Sequence, residues 1–168
     1  MLGFKIHNLA ALLVGIAAGM ISNYLLPELD WLAIAAIIYS GYLGGHLPAI
    51  QNPTSESYQI IRASTAVAAF VTPIAVYFYR PTDVLLGWLA AYLLFHGVWW
   101  MLDRISLYRD YTRYMLAIVV LPLLVGLIGY LTLGVNTVIP IFLATSAGYI
   151  IHLLLEQYRL VHTNKSLS

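Results

Sequence analysis

Residues 137–160 read TVIPIFLATSAGYIIHLLLEQYRL, and no Asp, Glu, Lys or Arg interrupts the run before Glu156. Such a stretch is what an α-helix needs to cross a hydrocarbon core, about 20 residues at 1.5 Å each. Working outward from it, five more apolar stretches come into view: His7–Leu26, Trp31–Leu47, Ser64–Tyr79, Val84–Leu102 and Tyr114–Leu133. Short turns separate some of them, at Pro27–Asp30, Arg80–Asp83 and Gly134–Asn136, while 48–63 and 103–113 form longer polar connections. The first stretch lacks a small-residue cleavage site before the next span and is expected to be retained rather than removed as a signal peptide.

Composition agrees with this pattern. Of the 168 residues 61% are hydrophobic and 9% charged, against about 25% charged in a soluble domain, and the mean hydropathy is +0.84. The expected fold is an all-α integral membrane protein, a bundle of about six transmembrane helices forming one domain over 1–161 with a polar C-terminal tail at 162–168. With no Cys, disulfides, thiolate metal sites and cysteine nucleophiles are excluded. A net charge of +1 gives no reason to expect a nucleic-acid partner.

Alternation of six spans puts both termini and the two long connections on one side. Lys5, Arg62, Arg104, Arg109, Arg113, Arg159 and Lys165 fall on that side and Arg80 on the other, so the positive-inside rule makes it cytoplasmic. The expected location is the bacterial inner membrane. Tyr24, Trp31, Tyr77, Tyr79, Trp99 and Trp100 lie near span ends, where an aromatic belt belongs. Gly15 and Gly19, with Ala11 one step earlier, suit close helix packing inside the bundle. Pro73, Pro122 and Pro140 fall within spans and are tolerated where neighbours satisfy the freed carbonyls.

Polar residues within spans are costly and therefore informative. His7, His46, His96 and His152 stand at the cytoplasmic ends of four spans, and Glu156 follows His152 by one helical turn on the same face. Imidazoles and a carboxylate are a familiar set for a divalent transition metal, and two histidines from different helices can hold a haem; the competing role for each is an interfacial side chain hydrogen-bonded to backbone or water. His162, in the polar tail, is expected to be solvated. No G-x-S-x-G, H-E-x-x-H, P-loop or G-x-G-x-x-G motif is present.

Four segments, KIHNLAALLVG with His7, HLPAIQNPTS at 46–55, YRDYTRYMLA at 108–117 and GYIIHLLLEQY at 148–158, stand in an order that resembles the YdjM-like membrane-bound metal-dependent hydrolases. The resemblance covers nearly the whole chain and implies a composite site on the cytoplasmic face, built from His7, Ala49, Gln51, Asn52, Tyr108, Arg109, Thr112, Arg113, His152 and Glu156. Compared with the family pattern, however, Ala49 and Gln51 replace aspartates, Asn52 and Tyr108 replace histidines, Arg113 replaces another histidine, and Glu156 replaces an aspartate. His7, His152 and Glu156 are the ordinary metal ligands that remain.

A hydrolytic metal needs anionic or imidazole ligands and a carboxylate to handle the proton. Ala49 offers no donor, and Arg113 sets a fixed positive charge where a cation would sit. The expectation is a non-catalytic, pseudoenzyme-like accessory or assembly protein with no cofactor, whose partners are membrane lipids and another membrane protein. Arg62, Arg104, Arg109 and Arg113, with Tyr58, Tyr108, Tyr111 and Tyr114, would form its binding face, and Arg113 would pair with Glu156. The alternatives are a hydrolase of lipid or phosphoester with a modified metal site, and a haem- or metal-binding helical subunit.

Overall fold

The computed structural model describes residues 2–48, 56–97, 99–100 and 112–165, with the backbone alone for 2–5, 57, 79, 112–117 and 159–165. Among the described residues six helices make up the fold: α1 Leu2–Leu25, α2 Trp31–His46, α3 Glu56–Tyr79, α4 Val84–Tyr92, α5 Thr112–Leu133 and α6 Val138–Lys165. There is no strand among these residues. A π turn over Leu93–Gly97 prolongs α4, and single 3-10 turns at Pro81–Asp83 and Val135–Thr137 lead into α4 and α6.

The ends of these helices follow from local chemistry. The residue before a proline is disfavoured in helix, so Pro27 stops α1 near Leu26. Asp30 then opens α2, its carboxylate accepting from the Ala33 N–H at 2.7 Å, a cap contributing about 0.5–2 kcal/mol. Gly134, at φ 98°, takes the left-handed turn between α5 and α6 that other residues avoid. Pro140 falls in the first turn of α6, where its missing N–H is not needed.

Among the described residues three helical stretches, Ile6–Leu25, Tyr58–Phe78 and Val135–Tyr158, are long and apolar enough to cross a membrane, and Ile118–Leu133 is the described apolar part of α5. Helix α2, with 16 residues, rises about 24 Å, and a 3-10 turn at 47–48 prolongs it. The start of α3 departs from the sequence reading. It begins at Glu56 rather than Ser64, shortening the connection before it, because Glu56 suits the positive end of the helix and Tyr58 and Ile61 supply an inward face for the polar first turns. At its far end α6 runs on to Lys165, past the change to polar sequence at 162.

Packing divides the bundle into a tight side and a loose one. On the tight side α2 lies against both α1 and α6, and small residues let the backbones meet. A Cβ added at Gly41 would stand 2.6 Å from the Gly15 Cα, and one at Gly148 would stand 2.9 Å from the Gly45 nitrogen. Additions at Gly44 and Gly45 would strike the Thr145 carbonyl and the Ala11 side chain. On the loose side α3 and α4 form a hairpin, with Gly87 of α4 close to Pro73 and Val76 of α3. The hairpin reaches the remaining helices through a core that includes Ile61, Ala69, Ala90 and Leu94 together with Leu43, Leu121 and Ile128.

The three short turns gather at one end of the bundle. Arg80 donates to the Leu133 carbonyl at 3.3 Å, its guanidinium lies beside Gly134, and Asp30 lines the same groove as Arg80.

Candidate functional site

The opposite end carries the histidines, and the tight side of the bundle brings them together. Along α1, His7, Ala11, Gly15 and Gly19 recur every four residues; along α6, Ala144, Gly148, His152 and Glu156 do the same. A four-residue step keeps side chains on one helical face, so the stripes of small residues end in His7 and His152. His46 follows Gly44 and Gly45 directly at the end of α2. The close approach of the backbones therefore determines that these imidazoles meet.

His7 and His152 are in edge-to-face contact, with ring centroids 4.6 Å apart and planes at 82°. His46 is 2% exposed, within electrostatic reach of both, and its ring packs on Tyr42 with centroids at 4.5 Å. His152 also hydrogen-bonds the backbone of Gly45 and feels the charge of Glu156. Two buried polar atoms, Asn8 Oδ1, next to His7 in sequence, and His152 Nδ1, have no hydrogen-bond partner among the described residues. A buried polar atom left unpaired costs about 1–3 kcal/mol, which makes this junction polar at some expense in stability.

The four-histidine grouping expected from sequence is thus reduced to three. His96 sits exposed in the π turn after α4, with its ring against Tyr92 and Phe95 at 4.9 and 5.0 Å. His46 is the member that the motif resemblance leaves out of the site. The signal for His46 is the Gly44–Gly45 pair beside it, which marks a helix end pressed against its neighbours.

Other expected site residues are distributed differently. Ala49, Gln51, Asn52, Arg104, Tyr108 and Arg109 lie outside the described residues. Thr112 and Arg113 begin α5, but their side chains are not among those described, so the Arg113–Glu156 pair is not placed. Glu156 is exposed on α6, and Arg62 is exposed on α3. Tyr58 packs against Trp99, centroids 5.1 Å apart, and Trp99 Nε1 donates to the Thr65 hydroxyl at 3.2 Å, holding the segment beyond the π turn to α3.

Among the described residues no group of three or more His, Cys, Asp or Glu is disposed to hold a metal ion, and Ala49, Gln51 and Asn52 contribute no anionic ligand. What the arrangement does supply is a helix junction closed by imidazoles. No family model, curated protein or solved structure matches the chain.

Proposed function

We propose that the chain is a six-span protein of the bacterial inner membrane, with both termini cytoplasmic, that works without catalysis as an accessory or assembly component. It engages another membrane protein or lipid headgroups through the cytoplasmic face bearing Arg62, Arg104, Arg109 and Arg113. The edge-to-face packing of His7 on His152 carries this reading: residues that resemble ligands of a hydrolytic site serve here to close a junction between α1 and α6. The grouping of the three short turns at the opposite end supports the alternating topology.

A second reading, a metal-dependent hydrolase or a metal- or haem-binding subunit with an altered site, draws on the convergence of His7, His46 and His152 near Glu156. Elemental analysis and an absorption spectrum of the detergent-purified chain separate the two. The accessory reading expects no stoichiometric transition metal and no haem band, with His7→Phe remaining folded. About one metal per chain, lost in His7→Phe or His152→Phe, would replace it with the hydrolase reading. Topology is checked separately, with a reporter after Ser168 expected in the cytoplasm and one at Pro81 expected outside it.

A further inference from the structure

Between α2 and α3, away from the histidines, lies a groove of about 750 Å³. Its walls are mainly small and aliphatic, with Ala35 and Ala36 on α2 and Ala68, Val71 and Ala75 on α3, and the ring of Tyr39 adds an aromatic surface. Along α3 it runs from Ile60 to Val76, about 24 Å at helical rise, which exceeds the ~15 Å depth of one leaflet's share of the hydrocarbon core. Asp30 and Arg80 are its charged lining residues. They stand at the end where the short turns gather, and no ion pair joins them: Asp30 caps α2, and Arg80 is steadied by the Leu133 carbonyl and by the space that Gly134 leaves beside its guanidinium.

We infer that this groove holds one zwitterionic phospholipid of the surrounding bilayer, with an acyl chain between α2 and α3, its phosphate on Arg80 and its ammonium toward Asp30. Two observations select this occupant. The walls are apolar over more than the length of one leaflet, which suits a hydrocarbon chain. A guanidinium binds phosphate through paired N–H donors, and the carboxylate nearby complements an ammonium, so both headgroup charges find a counterpart.

The site rests on the membrane reading of the chain but not on its accessory role, and its charged end, at Asp30 and Arg80, lies away from the proposed cytoplasmic face. Native mass spectrometry of the full chain in detergent, with dioleoyl phosphatidylethanolamine, phosphatidylglycerol or diacylglycerol added in turn, tests it. The expected result is one phosphatidylethanolamine retained per chain, with phosphatidylglycerol and diacylglycerol held more weakly. Arg80→Gln is expected to reduce retention about tenfold. Asp30→Asn keeps a good N-cap and is expected to remove the preference for phosphatidylethanolamine over phosphatidylglycerol. Val67→Trp and Ala35→Phe, at exposed positions lining the groove, are expected to block retention without overpacking the core.

Ala17→Trp, in a second groove of about 700 Å³ between α1 and α6, is expected to leave retention unchanged. Equal retention in Arg80→Gln, equal binding of all three lipids, or equal loss in Ala17→Trp would reduce the bound lipid to an unspecific annulus and overturn the inference. A chain released from membranes by carbonate would instead remove the membrane reading itself, and that fractionation is read before any lipid is added.

Discussion

Helix α2 has two sides that solve the same packing problem in opposite ways. Toward α1 and α6 it presents Gly41, Gly44 and Gly45, and the backbones close until a single added carbon would collide. Toward α3 it presents Ala35, Ala36 and Tyr39, and the helices leave a groove. Within lipid, side-chain burial gives little drive for helices to associate, because lipid tails are as apolar as leucine; close packing of small residues has to do so instead. The contrast teaches that apolarity does not distinguish a sealed contact from an open one here. The spacing of glycines does.

The largest effect that tests this contrast is expected from Gly148→Leu. Its added side chain would run into the Gly41 carbonyl and the Gly45 nitrogen, which are backbone atoms unable to yield without moving a whole helix. Overpacking of this kind costs about 3 kcal/mol or more, a fall of roughly 6–12 °C in Tm for a chain of this size. Ala63→Leu, facing the groove, is expected to stay within about 0.5 kcal/mol. Thermal unfolding of both variants in one detergent compares the two sides directly, and equal tolerance would erase the distinction between seal and groove.

The tight side is partly legible in the amino-acid sequence. Ala11, Gly15 and Gly19 announce close packing, but their partners do not, since the four-residue spacing of Ala144, Gly148 and His152 becomes meaningful only when set against Gly41 and Gly45. Turn chemistry marks Pro27, Asp30 and Gly134 because each constrains its own backbone. The start of α3 escapes for the opposite reason: residues 56–62 read as polar, and hydropathy cannot see an amphipathic entry turn whose buried residue is Ile61. The π turn at Leu93–Gly97 has no local signature of this kind. At the site, His7 and His152 are legible from motif order, whereas the burial of His46 depends on the convergence of three helices.

A smaller effect addresses the end of the sealed side. Edge-to-face ring pairs contribute about 0.5–1.5 kcal/mol beyond the area they bury, so a double-mutant cycle on His7→Ala and His152→Ala is expected to show coupling in that range. Additive losses would mean that the rings merely adjoin and that α1 and α6 are held through their glycine contacts with α2. The double substitution by Phe is expected to keep most of the stability, because packing rather than proton chemistry is the role assigned to the pair.

The smallest effect concerns how the loose side stays attached at all. Thr65 is 1% exposed; its hydroxyl donates to the Ile61 carbonyl at 2.8 Å and accepts from Trp99 Nε1 at 3.2 Å. Thr65→Val keeps the shape but leaves the indole N–H without its acceptor. The expected loss is about 1 kcal/mol, near 2–4 °C in Tm. The Ile61 carbonyl sits within a helix and keeps an ordinary backbone partner, so the indole accounts for most of the change. Trp99→Phe in the same background removes the stranded donor, and the pair is expected to be milder than the sum of the two single variants. If Thr65→Val is silent, the α3–α4 hairpin is held by the core around Ile61 and Leu94 alone, and the loose side of the bundle is apolar throughout. If it costs more than Gly148→Leu, the ordering of the two sides is reversed and the sealed junction is not what chiefly stabilises the fold.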